Sequence, residues 1–315
     1  MLPAPLHDDI ADGPEGGQAH WVEAQDGLRL RVGHWRNPEG RGTVLLLPGR
    51  TEYIEKYGPA AVELGRIGLS VISIDWRGQG LTERMLGDPM GGHIRRFRDF
   101  QMDLEALAKA AEDLDLPRPW HLLGHSMGGA IGLRGLSEGF DVASAAFSSP
   151  MWGIGLSSAL RPMAWALSWA ARGLSLDHLY APGTSASSYP NAAGFEGNFL
   201  TCDDVQYAWM AHQVERHPEL GLGGPSLRWL HEALRECRLL SRKPAPEIPC
   251  AVVLGTAERL VDPVVIRDRM KEWREGTLHM IDGGRHETMM ETPERRTRVF
   301  NILRAHFEAH SAPTR

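Results

Sequence analysis

Residues 120–129, Trp-His-Leu-Leu-Gly-His-Ser-Met-Gly-Gly, join a short apolar run to a Gly-x-Ser-x-Gly pentapeptide and the small-residue start of a helix. An apolar run of this length reads as a strand buried on both faces. A strand that turns abruptly into a helix can exist only if the backbone at the turn approaches its neighbours closely, and Gly124 and Gly128 allow that. The turn exposes Ser126 at its tip. It also puts the backbone N–H of Met127 at a helix N-terminus, where it can stabilise a developing oxyanion.

Context gives the pentapeptide its meaning. In a chain with 35 glycines the pattern recurs by chance, and Gly135-Leu-Ser-Glu-Gly139 is a second copy. Ser137 follows the helical stretch 130–136 and precedes a Gly-Phe-Asp turn, so it closes that helix. No strand feeds it. Ser126 is the candidate nucleophile.

Around this turn the sequence alternates strand and helix. Strands are predicted at 20–24, 28–36, 43–48, 70–75, 120–125, 142–148, 250–255 and 277–282. Helices fall at 53–67, 98–115, 127–138, 265–273 and 293–310. In 98–115, Phe100, Leu104, Leu107, Ala111 and Leu114 recur at three- and four-residue spacing and mark one buried face. The pattern predicts an α/β fold with a mostly parallel, eight-stranded, doubly wound sheet, the first two strands forming an antiparallel hairpin at its edge. Between 151 and 243 the alternation stops. That stretch has helical periodicity and contains Trp152, Trp165, Trp169, Trp209 and Trp229. It is expected to be a helical cap inserted into a core of residues 20–150 and 244–315. Residues 1–19, rich in Pro, Gly and Asp, are expected to form a flexible lead-in.

Charge and composition remove other classes. The net charge is −6 with no Lys/Arg block, which excludes a nucleic-acid partner. Cys202, Cys237 and Cys250 are scattered, with no Cys-x-x-Cys pair, as expected of reduced thiols rather than a disulfide or zinc framework. The N-terminal stretch lacks a basic segment followed by an apolar one, and no run of about 18 apolar residues occurs. A cytoplasmic location is expected, with transient contact at a membrane surface through the cap. No cofactor and no metal are expected. Gly78-Gln-Gly80 lacks the third glycine of a dinucleotide turn, no P-loop occurs, and His231-Glu232 and His286-Glu287 lack the second histidine of a zinc helix.

In an open parallel sheet, reactive groups gather at the carboxyl ends of the strands. Those ends carry Arg50 and Glu52, His125 and Ser126, Glu258 and Asp262, and His286. His286, behind a Gly-Gly turn after the last strand, is the candidate base for Ser126. Glu258, three residues beyond Gly255, is the favoured acid. Asp262, just before Pro263, is the competitor and also suits a helix N-cap. The N–H of Arg50 is the second candidate oxyanion donor beside Met127. Its side chain has two readings: pairing with a substrate phosphate, or holding Glu52 or Glu55 in place. His125 reads as a packed elbow residue.

The stretches Leu47-Pro-Gly-Arg-Thr-Glu-Tyr-Ile-Glu-Lys-Tyr57, Asp75-Trp-Arg-Gly-Gln-Gly80 and Gly124-His-Ser-Met-Gly-Gly129 resemble the bacterial lysophospholipase and monoacylglycerol lipase branch of the α/β-hydrolases. So do Asn198-Phe-Leu-Thr-Cys-Asp203 and Pro218-Glu-Leu-Gly-Leu-Gly-Gly-Pro225. The likeness covers about residues 20–310. It implies the α/β-hydrolase fold, the triad order Ser126, acid, His286, and backbone donors at Arg50 and Met127. It also implies a serine hydrolase that removes one acyl chain from a single-chain lipid ester through an acyl-enzyme. Monoacylglycerol lipase, small-ester or thioester hydrolase and acyltransferase activities share that triad, and a silent ligand-binding protein shares the fold. Family members usually carry aspartate where this chain has Glu258, and Asp262 matches a second, commonly acidic position.

Overall fold

A computed structural model describes residues 1–188 and 194–311. Its centre is a nine-stranded sheet ordered β1-β2-β3-β5-β4-β6-β7-β8-β9. The strands are β1 (Leu2–Ala4), β2 (Gln18–Glu23), β3 (Arg29–Trp35), β4 (Gly42–Leu47), β5 (Leu69–Asp75), β6 (Trp120–His125), β7 (Ser144–Ser148), β8 (Cys250–Gly255) and β9 (Gly276–Ile281). From β5 across to β9 every neighbouring pair is parallel, and β1, β2 and β3 add an antiparallel edge. Alternate residues of β4 serve opposite faces. Leu45 and Leu47 join one buried cluster, and Val44 and Leu46 join the other. This two-faced burial is why the central strands read as continuous apolar runs.

The ninth strand corrects the expected count of eight, and with it the expectation of a flexible lead-in. Leu2 pairs with Trp21 and Ala4 with Ala19. A short helix, α1 (Asp8–Ala11), then buries Ile10 and Ala11. The glycines that suggested disorder serve close approach instead. A Cβ on Gly17 would strike the Trp35 ring, and one on Gly58 would fall on the Ala11 carbonyl. Pro5 and Ile10 also offer carbonyls to the Arg31 and Gln213 side chains.

Flanking the sheet are α2 (Gly58–Gly65), α3 (Phe100–Asp113), α4 (Met127–Ser137), and two helices further along the chain. Between β7 and β8 the described residues contribute α5 (Leu160–Gly173), α6 (Asp204–Arg216) and α7 (Leu227–Leu240), and no strand of the sheet. Helix α7 ties this segment down, because Trp229, Ala233, Cys237 and Leu240 belong to the larger core cluster. The tryptophans there divide their work. Trp152 stacks on Trp273 inside the core, Trp165 meets His231 edge-on, Trp209 donates to Asp12, and Trp169 is exposed. Only Trp229 of the five reaches the cavity described below. After β8 and β9 come α8 (Pro263–Glu272) and α9 (Pro293–Ala309).

The strand order reverses at β4, which lies between β5 and β6. The carboxyl ends beside such a switch point border a crevice. Arg50 follows β4 and Ser126 follows β6, so both stand beside it.

Candidate active site

Ser126 sits between β6 and α4 with φ 48° and ψ −116°, a conformation that strains any residue with a Cβ. The surroundings impose it. Its amide donates to the Ser148 carbonyl at 3.1 Å, and its carbonyl accepts from Gly129 and Met151 at 2.9 and 2.8 Å. A Cβ on Gly128 would fall on the Leu47 carbonyl, so β4 tolerates only glycine there. Ser137, the serine of the second pentapeptide, ends α4 and donates to the Leu133 carbonyl at 2.8 Å.

His286 arrives on the loop after β9. The Ser126 Oγ lies 2.9 Å from its Nε2, across 160 residues of sequence. Its Nδ1 lies 2.8 Å from Glu258 Oε2. A Cβ on Gly255 would strike the Gly284 carbonyl, so two glycines bring the ends of β8 and β9 close enough for this pairing. The other oxygen of Glu258 accepts from the amides of Leu260 at 2.6 Å and Val261 at 3.2 Å. Burial pushes the Glu258 carboxyl up. The His286 charge, its hydrogen bond and the two amides outweigh this and bring the pKa down to about 2.

Asp262 is placed elsewhere. It caps α8, accepting from Val264 at 3.0 Å and Val265 at 3.5 Å, and pairs with Arg161 at 2.9 Å. Of the two acids weighed from the sequence, Glu258 is the one that meets His286.

At the end of β4 the amides on either side of Arg50 are occupied, Gly49 by Glu52 and Thr51 by Gln79 at 3.0 Å. The Arg50 amide between them has no hydrogen bond among the described residues, and the Met127 amide opens α4. The Arg50 side chain does not hold Glu52 or Glu55. Glu55 is clamped by Arg31 at 2.7 and 2.8 Å, and Glu52 by Lys56 at 2.6 Å and by the Tyr57 hydroxyl. The guanidinium instead donates to the Gly223 carbonyl at 2.9 Å and lies 5.4 Å from the centre of the Trp229 ring.

Beneath His286 lies a buried charge cluster that the sequence reading missed. Lys56 pairs with both Glu52 (2.6 Å) and Glu287 (2.7 Å), and His125 Nε2 lies 3.3 Å from Glu287. Burial lowers the His125 pKa, but Glu287 and Glu52 outweigh it and raise it. The His125 ring centre is 5.0 Å from that of His286. Thus His125 is packed at the elbow, as expected, but also ion-paired. The four-residue spacing of Glu52 and Lys56 was the one visible signal.

Ser126 and His286 open onto a cavity of about 430 Å³, whose wall is mostly apolar and includes Met151, Ile154, Leu200, Met210, Leu222 and Trp229. The size and character suit a small organic ligand.

An α/β sheet with a serine at a strained strand-to-helix turn, a histidine after the last strand and an acid after the one before defines an α/β-hydrolase. The chain belongs to the family described as serine aminopeptidase, S33, whose model matches residues 38–293. Lysophospholipase L2 of Escherichia coli K12 is 30% identical over 302 residues, covering 92% of this chain and 87% of that protein. A probable lysophospholipase L2 of Haemophilus influenzae is 26% identical over 288 residues, covering 90% of each. Among solved structures, a soluble variant of monoglyceride lipase from Saccharomyces cerevisiae, in complex with a substrate analog, aligns with a TM-score of 0.74 at 20% identity. That alignment covers 95% of this chain and 98% of the other.

Proposed function

We propose that this chain is a serine hydrolase that cleaves the carboxylic ester of a single-chain lipid, in the manner of a lysophospholipase. The observation that carries the reading is the continuous line of contacts from Ser126 Oγ through His286 to Glu258, opening onto a largely apolar cavity. The resemblance to lysophospholipase L2 over nearly the whole chain points to the same chemistry.

In this reading His286 Nε2 takes the Ser126 proton as Oγ attacks the ester carbonyl. Glu258, ionised at any working pH, holds the imidazole with its proton on Nδ1 and balances the charge it gains. The amides of Arg50 and Met127 receive the oxyanion. Collapse of the tetrahedral intermediate breaks the bond to the head-group alcohol, which leaves with the proton from His286. Water, deprotonated by the same histidine, then attacks the acyl-enzyme and releases the fatty acid and free Ser126.

Residues 151–243 act as a cap over this site. Among the described residues no helix is long and apolar enough to cross a membrane. Helix α5, however, presents Leu160, Met163 and Leu167 at helical spacing, all exposed. This face gives the enzyme transient contact with a lipid surface.

The test is a fluorophosphonate probe followed by a substrate panel of lysophosphatidylcholine, lysophosphatidylethanolamine, monoolein and short aryl esters. Labelling at Ser126 and turnover of the lipids are expected. A tenfold or greater preference for the short esters would remove the lipid reading, and an unlabelled native protein would remove the enzymatic one.

A further inference from the structure

Two arginines in the lining of the cavity beside Ser126 are left unused by acyl transfer: Arg259, which is exposed with its guanidinium 5.6 Å from the centre of the Phe199 ring, and Arg50. The carboxylates that reach this region each face a cation. Glu52 and Glu287 face Lys56 and His125, and Glu258 faces His286. Arg50 lines the same cavity and pairs with no carboxylate among the described residues. Its Nη1 donates to the Gly223 carbonyl, its Cζ lies near the Trp229 ring, and neither Nε nor Nη2 makes a hydrogen bond among the described residues. Burial without a counter-charge pushes its pKa down to about 10, which still leaves it charged at neutral pH. The side chain is half-buried, and a guanidinium partly withdrawn from water with no counter-charge gains from an anion that completes it.

The side chain is also positioned. A Cβ on Gly92 would lie 2.9 Å from Nη1, so the loop carrying Gly92 approaches the guanidinium closely. The Gly223 carbonyl approaches from the segment between α6 and α7, and α7 supplies Trp229. The remaining N–H groups form a fork of the kind that matches phosphate oxygens.

Reach then selects the ligand. In the reading above, the Arg50 amide meets the ester carbonyl. Along the arginine, the amide nitrogen and the guanidinium carbon are separated by as many bonds as the carbonyl carbon and the phosphorus of a 1-acyl glycerophospholipid. An extended arginine and an extended glycerophospholipid backbone therefore have a similar reach.

We infer that the Arg50 guanidinium, clamped between the Gly223 carbonyl and Trp229, binds the phosphodiester of a lysophospholipid head group and selects it over neutral monoglycerides. The inference rests on the single-chain lipid reading proposed above and assigns its head-group site.

The experiment measures kcat/KM for lysophosphatidylcholine and for a monoacylglycerol of the same acyl chain, in wild type and Arg50→Gln. The ratio of the two should fall by about tenfold to a hundredfold in the variant, whatever the absolute rates do, because a charge-assisted phosphate contact is lost. A fall of less than tenfold overturns the inference. If Arg50→Gln does not fold, as judged by circular dichroism, inhibition of wild-type aryl-ester turnover decides instead. Glycerol 3-phosphate should compete at concentrations at least tenfold below those of glycerol, in wild type and in Arg259→Gln alike; closer potencies in either overturn the inference. A wild type that hydrolyses aryl esters but neither lipid would defeat the proposed function, and the same inhibition comparison would still settle the anion site.

Discussion

Replacing Glu258 by glutamine probes the acid through a change of one atom. In the wild type Oε1 accepts from the amides of Leu260 and Val261, and Oε2 faces His286 Nδ1 at 2.8 Å. In the variant the amide oxygen keeps the two backbone donors, and the NH₂ group is left facing His286. An NH₂ donor there demands a bare Nδ1, so the ring proton moves to Nε2, the nitrogen that in the proposed mechanism receives the Ser126 proton. The base is then in the wrong tautomer, a change that costs on the order of 10⁴ in kcat, or about 5 kcal/mol of barrier. Stability reports the same carboxylate independently. Its pKa is lowered from 4.5 to about 2 on folding, so its contribution is fully present above pH 4.5 and is lost as pH falls through 2. That difference amounts to about 3 kcal/mol. The assays are aryl-ester turnover at neutral pH and urea unfolding between pH 2 and 6, with Asp262→Asn alongside. Asn caps a helix about as well as Asp, so Asp262→Asn should keep turnover within about threefold. A loss of orders of magnitude in Asp262→Asn, with Glu258→Gln nearly intact, would refute the reasoning.

Three further outcomes follow from the same structure. Ser126→Gly and Ser126→Ala both remove the hydroxyl and should abolish fluorophosphonate labelling. The glycine variant should be the more stable by about 1 kcal/mol, because relief of strain at φ 48° exceeds the entropy glycine adds to the unfolded chain; a less stable glycine variant in urea unfolding would deny that strain. Arg31 is fully buried and bonds Asp75 at 2.7 Å and Glu55 at 2.7 and 2.8 Å, so Arg31→Leu should cost about 3–5 kcal/mol of unfolding free energy by leaving two buried acids unpaired; a change under about 1 kcal/mol would contradict it. Met163→Asp with Leu167→Asp, on the exposed apolar face of α5, should lower co-sedimentation with phospholipid vesicles about tenfold or more. Unaltered sedimentation would remove the membrane contact.

Much of the sheet was legible because its cause is local. Continuous apolar runs announce strands buried on both faces, and the boundaries predicted for β4 through β9 fall within two residues of those observed. The N-terminal segment was misread because composition records turn formers, not their neighbours. Gly13 and Gly17 are there to admit Trp35. The tryptophans of 151–243 were legible as a cluster but not by destination, since helical periodicity does not say which face meets the cavity.

The nucleophile candidate belongs to the sequence alone. A strand, a glycine-flanked serine and a helix follow one another without interruption, so Ser126 could be separated from Ser137 by its immediate neighbours. Which carboxylate meets His286 belongs to tertiary structure. Glu258 and Asp262 are four residues apart in one loop, and the choice between them turns on contacts with His286, Arg161 and the first amides of α8. The same holds for Arg50. Its neighbours in sequence, Glu52 and Glu55, are taken by Lys56 and Arg31, and its actual partners stand more than 170 residues away. Short-range steric rules act between adjacent residues and can be read from their order, whereas charge pairing is decided only after the fold has chosen which groups lie within reach.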